Sequence, residues 1–146
     1  MLSRQALPPV PHAGNEFEQI QKGGYIVGDN PHELKMIIIA TGSEVHLAME
    51  AARSANALGM GVRVVSMPCV ERFLSQDQAY QEHVLPITIK KRLAVEAAAT
   101  GYWYRFVGLD GKVLGIDTFG VSAPAQDAYA YFGLTVEGIL ASLKTL

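Results

Sequence analysis

The feature that most constrains this chain is Met36-Ile37-Ile38-Ile39-Ala40, a short and wholly apolar run with a glycine-containing turn behind it. Such a run offers no polar face to water, so it fits a strand covered on both sides, as in a parallel sheet. Thr41-Gly42-Ser43-Glu44 follows, and then Val45, Ala48, Met49 and Ala52 recur at helical spacing and form one apolar stripe. Gly59 and Gly61 predict the end of that helix, because glycine accepts the left-handed backbone of a C-terminal cap. Val62-Arg63-Val64-Val65-Ser66 reads as the next strand, stopped by Pro68. Strand, helix, strand with short links is a βαβ unit with a right-handed crossover.

The same alternation continues. The pattern predicts a helix over residues 75–84, a buried strand over 93–97, a short helix over 100–107 and a strand over 113–117. A helix over 124–132 carries proline in its first turn, where the missing N–H does no harm. Thr135 caps a last helix whose stripe is Val136, Ile139, Leu140 and Leu143. Tyr25-Ile26-Val27 adds an edge strand. The expected fold is α/β: a three-layer αβα domain with a mostly parallel sheet of about five strands and helices on both faces. Ahead of it, residues 6–14 contain Pro8, Pro9 and Pro11 and read as extended linker.

With 146 residues the chain can bury a core without disulfides or metal. Fourteen acidic and 12 basic side chains give a formal charge of −2, which supplies no electrostatic footprint for nucleic acid or an anionic membrane. The largest basic cluster, Lys90-Lys91-Arg92, reads as a solvated strand edge. Cys69 is the only cysteine, so no internal disulfide forms, in agreement with a reducing compartment. Residues 1–4 carry no apolar leader, and no apolar run is long enough to span a bilayer. The expectation is a soluble, cytoplasmic protein.

Few residues suggest chemistry. The Thr41-Gly42-Ser43 turn opens a helix, whose free N–H groups and positive dipole end can hold an anion. Thr41 and Glu44 also match a Thr-x-x-Glu capping box, which would satisfy the same donors internally. His12, His32, His46 and His83 lack metal-ligand spacing to one another or to Cys69, so no metal site is expected. Cys69 has no adjacent base and reads as a packing residue. The rings of Tyr102-Trp103-Tyr104-Arg105-Phe106 cannot all face one core, so core and interface readings both stand.

Taken in order, several stretches resemble the C-terminal domain of the transketolase family. They are Leu2-Ser3-Arg4-Gln5, Gly23-Gly24-Tyr25, Ala40-Thr41-Gly42-Ser43-Glu44-Val45 and Val64-Val65-Ser66-Met67-Pro68. Ala94-Val95-Glu96-Ala97, Tyr102-Trp103-Tyr104 and Thr118-Phe119-Gly120-Val121-Ser122-Ala123-Pro124-Ala125 continue the series, with Phe132-Gly133 and Thr135-Val136 after them. Related thiamine enzymes have similar domains, but the first and the Phe119-containing stretches point to transketolase itself. The chain departs from the family in residues 6–16 and in Ala97-Ala98-Ala99, where the family often has a glycine.

The resemblance implies a division into residues 1–22, the end of a preceding domain plus linker, and residues 23–146, the C-terminal α/β domain. It implies an enzyme that transfers a two-carbon ketol unit between sugar phosphates in the pentose phosphate pathway. Thiamine diphosphate and magnesium serve as cofactors in the full-length homodimer, at sites built by the two preceding domains. No cofactor or metal is expected in this chain, no catalytic residue, and no activity of the chain alone. One site residue carries over: Arg4, the arginine of Leu-Ser-Arg-Gln, binds the substrate phosphate in the family. The rest of the domain is expected to pack on its neighbours and assist dimer formation. The alternative is a stand-alone regulatory module binding an anion or nucleotide at Thr41, Gly42 and Ser43.

Overall fold

The computed structural model describes residues 16–29 and 33–146, leaving out the side chain of Glu16. Arg4, the proline-rich stretch, His12 and His32 lie outside the described residues. Five strands form one sheet: β1 (Tyr25–Gly28), β2 (Met36–Ala40), β3 (Val62–Ser66), β4 (Arg92–Val95) and β5 (Lys112–Leu114). Their order is β1-β3-β2-β4-β5, with β1 antiparallel to β3 and every other pair parallel. The apolar run Met36-Ile37-Ile38-Ile39-Ala40 is the central strand, and Ile37 through Ala40 have no exposed surface. Ile38 pairs with Val64 on one side and Leu93 on the other.

Alternation along β2 divides the core in two. Ile38 and Ala40 face α2 (Glu44–Ala57) and α7 (Val136–Lys144), whereas Ile37 and Ile39 face the aromatic side of the domain. On the first face α2 presents Ala48, Ala51, Ala52 and Ala55, small residues that let the helix lie close to the sheet. On the second face sit α3 (Val70–Leu74), α4 (Gln78–Val84) and α5 (Tyr104–Val107), which contribute Phe73, Val84 and Phe106. Helices on both faces of a mostly parallel sheet give the three-layer α/β fold expected from the sequence.

The boundaries follow local chemistry. Helix α2 ends in a Schellman turn: Gly59, at φ 76°, donates to Asn56 O, and Met60 donates to Ala55 O. The Asn56 amide then pairs with both main-chain groups of Val62 and fixes the start of β3. Thr135 caps α7 by accepting the Gly138 N–H at 3.1 Å, a contact worth about 1 kcal/mol.

Several expected elements shift. The helix expected over 75–84 is α4 alone, beginning after Asp77, whose carboxylate accepts the Tyr80 N–H. The sequence reading missed α3, because it is short and its N-cap, Cys69, makes no side-chain cap. Residues 100–107 split into a 3-10 turn (Thr100–Tyr102) and α5. The last strand stops at Leu114, and beyond it the Ile116 N–H donates to Ala98 O in the turn after β4. Helix α6 (Ala125–Tyr131) starts one residue after Pro124, which is its N-cap. A short helix, α1 (Glu16–Ile20), occupies part of the stretch expected as linker. Arg92 is not a solvated edge residue: its guanidinium turns inward onto main-chain carbonyls.

Candidate functional site: the cleft at the carboxyl ends of the strands

Parallel strands of an open α/β sheet leave a crevice beyond their carboxyl ends, where such folds bind ligands. Here the crevice is a cleft of about 640 Å³ between the turns that follow β2, β3 and β4. Thr41, Gly42 and Ser43 come from the first turn, Met67 through Glu71 from the second, and Glu96 and Ala97 from the third. Tyr102 and Trp103 close one side and Tyr129 of α6 the other.

The Thr41-Gly42-Ser43-Glu44 turn does not form a capping box. Ser43 is the N-cap, in helical conformation and without a side-chain cap bond, and Gly42 takes φ 57°. Glu44 is 4% exposed and turns away from the helix end. Its carboxylate accepts the Tyr129 hydroxyl and, at 2.9 Å, the Ser43 hydroxyl, while the Ser43 and Tyr129 oxygens lie 3.0 Å apart. A partner 85 residues downstream along the chain therefore takes the group that the local motif assigned to the backbone.

Two more carboxylates stand on the walls. Glu96 accepts the indole N–H of Trp103, which is itself 2% exposed. Glu71 accepts the Tyr102 hydroxyl at 3.2 Å, and the Cys69 thiol lies 3.8 Å from its other oxygen. The Glu71 backbone N–H first, and then the Tyr102 hydroxyl, hold its carboxyl below the ordinary range. Loss of solvation raises the Tyr102 phenol, and the bond to Glu71 adds to that. Among the described residues the lining contains no lysine, arginine or histidine. Its three carboxylates face the opening and, among the described residues, the nearest cation is Arg105, outside the lining beside Tyr102, so the geometry lends no weight to an anion at Thr41, Gly42 and Ser43. Nor does it fit thiamine diphosphate, whose diphosphate needs cationic or metal partners. Among the described residues no group of three or more His, Cys, Asp or Glu is arranged to hold a metal. Among the described lining residues the Cys69 thiol faces the Glu71 carboxylate and no imidazole.

Glu44, Glu96, Trp103 and Tyr129 were not singled out as cleft residues from the sequence. The one available signal was an acid beside each buried run: Glu44 at the head of an alanine-rich helix and Glu96 directly after β4. His46 sits in α2 with Nε2 3.6 Å from Glu50, and His83 is exposed. Neither lines the cleft.

Just outside the cleft, Asp117 ties the end of the β5 segment to the turn after β4. It accepts the Thr100 N–H at 2.9 Å and the Thr100 hydroxyl at 2.8 Å, and these bonds, main chain first, depress its pKa. A depressed folded-state pKa contributes stability that is complete above the unfolded value and lost as pH falls through the folded one. Stability should therefore decline as pH drops below the unfolded value of 3.8. In urea titrations across that acid range, Asp117→Asn should flatten the decline; an unchanged slope would mean that this clamp has no linkage to folding.

A family model, the transketolase-like TK C-terminal domain, matches residues 23–135. The chain belongs to the transketolase C-terminal domain family. Transketolase 1 of Vibrio vulnificus strain YJ016 is 46% identical over all 146 residues, which cover 22% of that protein. A probable transketolase of Streptococcus pneumoniae is 48% identical over 133 residues, 91% of this chain and 20% of its own length. The solved transketolase of Leishmania mexicana superposes with a TM-score of 0.84 at 38% identity, covering 93% of this chain and 19% of that one. This transketolase domain thus spans about a fifth of the length of the relatives it matches. Nothing among these relatives supports a stand-alone regulatory module. Among the described residues, no helix of the transketolase domain is long and apolar enough to cross a membrane.

Proposed function

We propose that this domain is the C-terminal scaffold of a cytoplasmic, homodimeric transketolase. That enzyme moves a two-carbon ketol unit between sugar phosphates, with thiamine diphosphate and magnesium held by the two domains that precede this one. The observation that carries the reading is the match of the whole chain to one fifth of a transketolase, at 46% identity. Residues 1–22 join the scaffold to the preceding domain. Within them Arg4 binds the phosphate of the sugar substrate, since a guanidinium can grip a phosphate through two parallel N–H bonds.

Assay of the chain with thiamine diphosphate, magnesium, xylulose 5-phosphate and ribose 5-phosphate should show no ketol transfer. The longer enzyme carrying this domain should be active, and Arg4→Ala in it should raise KM for both sugar phosphates about tenfold or more, the loss of one charge-assisted contact. Turnover by the 146-residue chain itself would overturn the scaffold reading. An unaltered KM in the Arg4 variant would remove the phosphate role and leave the scaffold standing.

A further inference from the structure

We propose that the loop between β5 and α6, led by Phe119, is the surface by which this domain docks onto the polypeptide that precedes it in transketolases. The proposal deepens the scaffold reading and rests on it. Every residue from 117 to 127 is exposed, and the Phe119 ring is 99% exposed. Ile116 N–H donates to Ala98 O, and Pro124 O accepts the first bond of α6; between them residues 118–123 make no hydrogen bond among the described residues. A side chain added at Gly120 would meet nothing within 4 Å. An isolated exposed leucine needs no explanation, but a fully bare phenyl ring on a loop with open main-chain groups is the composition of an interface anchor.

The path of the chain indicates what covers it. Strand β1 begins at Tyr25, opposite Ser66, the last residue of β3, and Cys69 N–H donates to Gly23 O at 2.9 Å. Polypeptide upstream of β1 therefore reaches the domain at the carboxyl edge of the parallel strands. The Phe119 loop also leaves at the carboxyl ends of the strands, at the opposite lateral side of the sheet from β1: Leu114 pairs with Val95, the last residue of β4, and Asp117 is held by Thr100 beyond it. This chain covers 22% of Transketolase 1 of Vibrio vulnificus, so most of such an enzyme would arrive on the carboxyl-end face of the sheet, the face on which the ring stands bare. A second copy fits less well. A two-fold contact through the carboxyl ends of the strands would set two clefts face to face, each lined by Glu44, Glu71 and Glu96 and, among the described residues, by no lysine, arginine or histidine.

The test replaces the aligned region of the Vibrio vulnificus enzyme with this chain and follows amide hydrogen exchange of residues 118–123. Exchange should be at least about tenfold slower in the chimera than in the chain alone, as expected when open amides become buried. Phe119→Ser should return the chimera's loop to fast exchange. It should leave the melting temperature of the chain alone unchanged, since the ring contributes no buried surface there. Adding the chain in trans to the truncated Vibrio protein gives a second reading that does not depend on the fusion folding. Equal exchange rates with and without the upstream polypeptide in both formats would overturn the docking surface. So would protection in the chain alone that grows with its concentration, which would assign the loop to a second copy. Ketol transfer by the chimera is read separately: an active chimera with an unprotected loop would overturn the docking surface and leave the scaffold reading standing.

Discussion

Arg92→Met should lower the free energy of unfolding by about 2 kcal/mol, a figure set by leaving partly buried carbonyls without donors. Arg92 opens β4, and its guanidinium is spent entirely on main chain. Nε donates to Ile89 O at 2.9 Å, one terminal nitrogen to Phe106 O at 2.8 Å, and the other to Pro86 O at 2.8 Å and Leu85 O at 3.1 Å. These carbonyls belong to the turn after α4 and to α5, so one side chain joins two separate stretches to the sheet. Loss of solvation lowers the Arg92 pKa, and the Glu82 charge opposes that shift. The group stays charged at any working pH. Methionine keeps the apolar stem but supplies no donor. Arg92→Lys should recover little, because one ammonium cannot reproduce a planar fork aimed at four acceptors. Urea midpoints for the three proteins decide this; a methionine variant within about 0.5 kcal/mol of the parent, the range of ordinary surface changes, would mean that the carbonyls find water instead.

Trp103→Ala should cost more, about 4 kcal/mol, as expected for emptying a buried indole site. Trp103 lies between the cleft and the second core face, with Phe106 and Tyr102 rings each 5.9 Å from it. Its indole N–H is the donor that Glu96 accepts. Truncation removes the packing and strips a cleft carboxylate of its partner at once. Trp103→Phe separates the two: it keeps most of the packing and loses the donor, so it should cost roughly 1–2 kcal/mol. Melts followed by circular dichroism are needed, because Trp103 is the sole tryptophan and its removal eliminates the fluorescence probe. If both variants lost the same amount, the hydrogen bond rather than the packing would dominate.

Wherever one face or one run was involved, the fold was legible in the residues. Met36-Ile37-Ile38-Ile39-Ala40 could only be a strand covered on both sides, and Gly59 could only end α2. Legibility failed where a distant partner outweighed a local rule. Thr41 and Glu44 have the spacing of a capping box, yet Tyr129 and Ser43 claim the carboxylate. Arg92 follows two lysines and looked solvated, yet carbonyls before and after it in the chain draw it inward. The short helix α3 has no side-chain cap to announce it. In the aromatic stretch, sequence established only that the rings must part company; in the fold, Trp103 and Phe106 turn in while Tyr102 and Tyr104 face out. The turn singled out for a possible anion does line a cleft, but the acids that set its charge come from three separate strand ends and could not be brought together by spacing alone.

The position of α7 has a consequence for synthesis. Ile139 and Leu143 are wholly buried and pack against α2 over the first face of the sheet. Translation delivers every strand, and α2 itself, before α7 exists. A growing chain therefore leaves the site of Ile139 and Leu143 uncovered on this face until α7 emerges. A chain cut within the nine-residue α7 leaves the α2 side of the sheet only partly covered. Such a product is a client for chaperones and proteases rather than a slightly shorter domain.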